Sequence, residues 1–413
     1  MRAAPTDCAP PHTACLQGGC GAERLDREPK AMSAGGSCGP TIRAAMAAGR
    51  ESAPSVYPAA RHSDFMCDAI WGPEALYRSA CKCFKGVGRK HSTQSYKLHV
   101  ISNTVNLAKA HRDGKYKEKP PKVVPIQYPK KRTAMSISLV DRVTQRSFND
   151  LSLYPQATKR FVYANYACQK GKGTDAARKY YAAMLHRAWL KYGTADFRIV
   201  VVDVKGYYDN MDHETTNAMF AKMCDPWTAA QATRTLDRQY KGDRGYNPGS
   251  QMVQIAGISY LDGLDHYMKE ALRRKLYIRY MDDIHVAAKD EADAARVMEE
   301  VSAQLKKVGL SAHPVKSRIV DAREGAVFLG FLHRVADSGK VLVSCDPAKV
   351  KANRRKMRRI ANKIMRRSAN RTVLAESWQS MYNHLAKGNS KRLERRMTEF
   401  YDNLEKEIEG AIP

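Results

Sequence analysis

Nowhere in the 413 residues does an apolar run approach the roughly 20 residues needed to span a bilayer. A membrane-spanning helix is thereby excluded, and a soluble protein is expected. The N-terminal region also lacks the apolar core, roughly 7–15 residues long, of a secretory signal. Cysteine is sparse: ten in all, four of them at Cys8, Cys15, Cys20 and Cys38. None falls into the paired CxxC spacing of a structural zinc site, and Cys81 and Cys83 stand too close to make a good ligand pair. Free thiols in a reducing cytoplasm are the expected state. Acidic charge is the largest deficit, with 42 Asp and Glu against 70 Lys and Arg, a net charge of +28. Such an excess speaks to partners rather than to fold, and nucleic acid is the obvious polyanion, with an anionic membrane surface as its rival.

A chain of this length suits two or three packed subdomains. Residues 1–65 show no persistent hydrophobic period and are dominated by Ala, Gly, Pro and Ser. Seven basic and six acidic residues nearly cancel there, which leaves about +27 on the remainder. The stretch reads as a disordered tail, and Met66, where the composition changes, is a possible alternative start. Pro73 to about Gly114 is polar and helix-like. Tyr116–Pro129 is proline-rich and reads as a loop or an edge strand, because Pro removes a donor from the ladder. Lys130-Lys131-Arg132 leads into Met135-Ser136-Ile137-Ser138-Leu139, an alternating strand pattern. A helix is expected to follow, with Asp141 as its cap.

Two stretches carry candidate chemistry. Leu276–Ala287 reads as strand, turn, strand around the adjacent carboxylates Asp282 and Asp283. Taken alone, the pair fits either an ordinary surface turn or a point where a divalent cation sits. Phe197–Val204 is a nearly unbroken apolar run ending at Asp203, the pattern of a strand buried on both faces. Carboxylates from separate strands suit a two-metal site, which holds its ions roughly 3.5–4 Å apart. Asp203 with Asp282 and Asp283 supplies those ligand types.

With these residues in view, the chain resembles reverse transcriptases over roughly residues 75 to 405. Tyr280-Met281-Asp282-Asp283 is similar to the family's YxDD box, and Asp203–His213 to its first catalytic motif in the bacterial form. Lys131-Arg132 with Asp141-Arg142-Val143-Thr144-Gln145 resembles a fingers segment. Tyr166–Ala177 looks like the fingers-to-palm segment of diversity-generating and phage-defence enzymes. Asn247–Gln254 corresponds to the template and nucleotide motif, with Gln254 matching and with Val253 and Pro248 departing from the usual residues. Phe328–Leu332 resembles the primer-grip hairpin.

The resemblance implies an α+β right-hand polymerase: tail 1–65, N-terminal helices and fingers 66–196, palm with an antiparallel sheet 197–345, and a helical thumb 346–413. It implies two Mg²⁺, with Mn²⁺ as a substitute, in a metal set of Asp203, Val204, Asp282 and Asp283. Lys131 or Arg132 is expected on the incoming triphosphate, Gly249 and Gln254 near the nucleotide, and Lys316 as proton donor to the pyrophosphate. For these cations a solvated surface role remains open. Tyr208, five residues beyond Asp203, is either a steric gate against the 2′-hydroxyl or a core tyrosine. Ten Lys or Arg crowd Lys349–Arg367, with Val350, Met357, Ile360 and Ile364 at mostly helical spacing. Arg354, Arg355, Arg358 and Arg359 on that helix are expected along a phosphate backbone. The helix lacks the large aromatics of a membrane-surface helix.

The partners implied are an RNA template, a DNA or RNA primer duplex and dNTPs, with a cognate non-coding RNA or accessory protein as further candidates. Nothing like an RNase H, HNH or integrase segment is read after the thumb. A catalytically idle RNA-binding protein and an RNA-dependent RNA polymerase are the rival functions. The intact Asp203, Asp282 and Asp283 argue against the first, and Tyr208 with YxDD against the second. Retron-specific motifs and a long maturase-type extension are missing. A prophage, diversity-generating or antiphage-defence setting is therefore expected.

Overall fold

The computed structural model describes residues 66–126, 132–247 and 249–411, and the side chain of Arg132 is not among what it describes. The stretch 1–65 read as a tail, together with Lys131, lies outside the described residues.

The centre is a four-stranded antiparallel sheet of order β4-β5-β3-β6, made of β3 (Arg198–Asp203), β4 (Tyr277–Tyr280), β5 (Asp283–Ala288) and β6 (Arg318–Asp321). The Val/Ile run of β3 occupies an inner position, as a strand covered on both sides requires. Side chains alternate between two cores. Val200, Val202, Ile284 and Val286 enter the larger one, and Ile199, Val201, Ile278 and Ala287 the smaller. The smaller core is closed by helix α6 (Thr174–Tyr192) and by a three-stranded sheet of β7 (Ala326–Phe328), β8 (Phe331–Val335) and β9 (Val341–Cys345).

The larger core gathers α1 (Pro73–Cys83), α2 (His91–Leu98), α3 (Val100–Arg112), α4 (Leu139–Phe148), α5 (Tyr154–Thr158), α7 (His213–Met223), α8 (Pro226–Gln239), α9 (Gln251–Tyr260), α10 (Asp262–His266) and α11 (Glu291–Lys307). A third cluster joins α12 (Pro347–Met365), α13 (Arg371–Leu385) and α14 (Lys391–Ala411) to Phe331 and Cys345. Local chemistry sets many of the helix starts. Asp225 caps α8 and Asp346 caps α12, each with Pro in the first turn, and Asp290 caps α11. Among the described residues no helix is long and apolar enough to cross a membrane.

Two local expectations change. The strand expected at Met135–Leu139 sits earlier, as β2 (Arg132–Ser136), paired with the exposed edge strand β1 (Lys122–Ile126). Ser138, not Asp141, caps α4, its hydroxyl accepting from the Asp141 amide. Asp141 is instead buried, its carboxylate accepting from the Ser138 and Tyr116 hydroxyls, each at 2.6 Å. Helix α9 ends at its cap Leu261 and is buried nearly all round because other helices surround it. Val308, half-buried against the larger core, is the C-cap of α11.

Candidate active site

Register brings the carboxylates together. Asp203 ends β3 directly opposite Asp283, which opens β5. Opposed residues in an antiparallel pair hold their Cβ atoms about 4.5–5.5 Å apart. Both follow the alternation of Ile199, Val201 and Ala287, so they share a face of the sheet. Asp282 sits in the two-residue loop between Tyr280 and Asp283, and its carbonyl accepts from the Val204 amide at 3.2 Å. Burial, reinforced by the charges of Asp203 and Asp283, lifts the Asp282 carboxyl above the ordinary carboxylate range. Three acids held this close favour a cation among them.

Lys316 supplies one positive charge. Its ammonium lies 2.9 and 3.2 Å from the two oxygens of Asp203. The side chain is 54% exposed, so the pair is worth little as a stabilising bridge. It stands instead where a cation neutralises Asp203. The neighbouring Ser317 hydroxyl and His313 amide both donate to the Asp203 carbonyl. Val204 buries its side chain in the larger core, so only its main-chain carbonyl can serve a metal. Among the described residues no group of three His, Cys, Asp or Glu is arranged to hold a metal ion as the side chains stand. The donor set nevertheless fits oxygen-ligated divalent ions, which accept carboxylates, carbonyls and water.

The turn at the centre of the hairpin is strained. Met281 has φ +58°, a value that favours glycine, and occupies the first central position of the two-residue loop. Such a conformation costs on the order of 1–3 kcal/mol and persists only where its surroundings impose it. Arg279 does so: one guanidinium nitrogen donates to the Met281 carbonyl at 3.0 Å. The other two donate to Asp265 at 2.8 and 2.5 Å, and one of them also reaches the Ile258 carbonyl. Tyr277 donates to the same carboxylate, and Arg279 and Asp265 are both fully buried. Sequence reasoning missed this pair. An arginine inside an apolar strand was the available signal.

Tyr208 lies beside the carboxylates, half-buried, with its hydroxyl 3.6 Å from the Met281 sulfur. Gly257 of α9 makes room for the ring, since a Cβ there would come within 2.8 Å of the phenol oxygen. Gly249 also has a packing requirement: a Cβ there would meet the Met135 carbonyl of β2 at 2.5 Å. Ser250 does cap α9, and the exposed Gln254 shares with Gly249, Ile137 and Arg142 the wall of a cavity of about 260 Å³. Neither Asp203, Asp282 nor Asp283 lines that cavity.

The four arginines on α12 divide into two sets. Arg354 and Arg358 lie over the Phe400 ring of α14, at 4.5 and 5.6 Å, and Arg358 also pairs with Glu407. Arg355 and Arg359 are exposed and hold no ion pair among the described residues. The expected buried stripe holds for Val350, Met357 and Ile364, with Ile360 half-buried.

No curated protein matches the chain. A family profile described as reverse transcriptase (RNA-dependent DNA polymerase) matches residues 121–333, just over half of the 413 residues and the whole of the sheet that carries Asp203, Asp282 and Asp283. The carboxylates in register across an antiparallel sheet and the match that spans them lead to one conclusion: the chain belongs to the reverse transcriptases, nucleotidyltransferases that synthesise DNA on an RNA template.

Proposed function

We propose that the chain is a right-hand polymerase that copies RNA into DNA by two-metal nucleotidyl transfer at Asp203, Asp282 and Asp283. In this reading 66–196 are N-terminal helices and fingers, 197–345 the palm and 346–413 the thumb. Reverse transcriptases as a family use a divalent metal such as Mg²⁺, with template, primer and dNTPs as substrates. The observation that carries the reading is Asp203 facing Asp283 across β3 and β5, with Asp282 beside them in the turn. Two Mg²⁺ or Mn²⁺ ions on these carboxylates and the Val204 carbonyl would activate the primer 3′-hydroxyl and neutralise the triphosphate.

The chain's own residues do the rest. Arg279 and Asp265 hold the strained turn, so Asp282 and Asp283 are oriented before substrate arrives. Lys316, exposed beside Asp203, is placed to give a proton to the departing pyrophosphate. Tyr208, wedged between Gly257 and Met281, bounds the space for the sugar. Lys131 or Arg132 would clamp the triphosphate, with Gly249 and Gln254 near the nucleotide. The resemblance of Tyr166–Ala177 to diversity-generating and phage-defence enzymes supports a bacterial setting of that kind, with a cognate RNA or accessory protein as partner.

Purified Asp203→Ala and Asp282→Ala proteins test the reading by primer extension on a primed RNA template. Each should lose about a hundred- to thousandfold in rate or more, the range for removing one preorganised stabiliser, while the thermal midpoint stays near wild type. Undiminished extension by either variant overturns the assignment.

A further inference from the structure

Asp283 has a partner that the sequence reading did not use. Its Oδ1 lies 3.0 Å from Nε2 of His285, two residues along β5 and therefore on the same face of the sheet. On the far side of the ring, Nδ1 lies 2.8 Å from the Tyr181 hydroxyl of α6. An ionised carboxylate only accepts, so Nε2 is the nitrogen that donates to it, and in the neutral ring Nδ1 accepts from the Tyr181 O–H. Every polar atom of the imidazole is thus assigned, in a ring with 0% exposure. Packing fixes the ring plane as well. Tyr181 and Phe328 each meet it edge-on with centroids 4.9 Å away, and Tyr181 is itself packed against Phe328 and His333.

We infer that His285, backed by Tyr181, is a positioning residue for Asp283. It engages one carboxylate oxygen through Nε2–H and leaves the other free to meet a divalent cation. The inference rests on the proposed metal role of Asp283. Its physical basis is that a ligating carboxylate held by an outer hydrogen bond loses less freedom when it binds metal. Removing such outer partners typically costs about 10–100-fold in metal affinity or activity. A buried histidine that merely needed hydrogen-bond partners predicts the same contacts. It differs in consequence, because it predicts no change in metal binding when the Nε2–H donor is removed from a protein that still folds.

The test uses the full chain, with Mn²⁺ binding followed by electron paramagnetic resonance and the Mg²⁺ dependence of primer extension measured in parallel. His285→Leu should weaken Mn²⁺ binding and raise the Mg²⁺ concentration for half-maximal extension by about tenfold or more. His285→Gln, whose amide can still donate toward Asp283, should recover most of that loss. Tyr181→Phe removes a single hydroxyl and should fall between the two, and it carries the test if His285→Leu does not fold. Wild-type metal binding in folded His285→Leu or Tyr181→Phe overturns the inference, as does a His285→Gln protein no better than His285→Leu. Asp283→Asn separates the two levels of the argument. If it binds Mn²⁺ as tightly as wild type, the metal assignment fails and the positioning role fails with it.

Discussion

At the scale of single residues, the position of Tyr208 makes its proposed role in sugar selection testable. Its ring is pinned between Gly257, which has no side chain to displace it, and the Met281 sulfur. Burial also pushes its phenol well above the ordinary value, so the hydroxyl stays protonated. If the ring lies beneath the incoming sugar, a 2′-oxygen overlaps it, and overpacking of this kind costs about 1–3 kcal/mol. Tyr208→Ala should therefore relax discrimination against ribonucleotides by roughly ten- to hundredfold while DNA synthesis continues. The quantity to measure is the incorporation ratio of dGTP to GTP. An unchanged ratio removes Tyr208 from sugar selection.

At the scale of elements, the β4–β5 hairpin depends on a buried ion pair between its own Arg279 and Asp265 of a different element, α10. Isolated buried charges are expensive, and removing one partner costs more than the pair contributes. Asp265→Ala should destabilise the protein by about 3–5 kcal/mol, because Arg279 is then left without its counter-charge. Urea denaturation measures that loss. The double variant Asp265→Leu/Arg279→Met should be distinctly more stable than Asp265→Ala, since neither charge remains buried. It should still extend primers poorly, because the Met281 carbonyl loses the donor that imposes its positive φ. Full activity in the double variant would show that the turn holds itself.

At the scale of the whole molecule, the excess of +28 is not spread evenly in function. On α12, Arg354 and Arg358 turn toward Phe400 and Glu407 and hold α14, while Arg355 and Arg359 face outward. Replacing Arg355 and Arg359 by Ala should lower the log–log salt slope of primer–template binding by about 0.7–0.9 for each lost phosphate contact. Replacing Arg354 and Arg358 should chiefly lower the thermal midpoint. Binding across a salt series and thermal melts of the two double variants distinguish the roles. Equal slopes in both would show that outward charge on α12 does not meet the phosphate backbone.

Order along the chain was enough to find the carboxylates, the hairpin that presents them and the covered strand that ends at Asp203. These depend on alternation and turn chemistry within a few residues, and a local pattern carries them. The basic helix and its buried stripe were legible for the same reason. Partners distant in the chain were not legible. Arg279 meets Asp265, Tyr181 meets His285, and Gly249 meets Met135 only because separate elements pack together, and no local spacing encodes such meetings. Tertiary structure also decided which arginines of α12 remain free, since a helix has one periodicity and α14 chose which of its faces to cover.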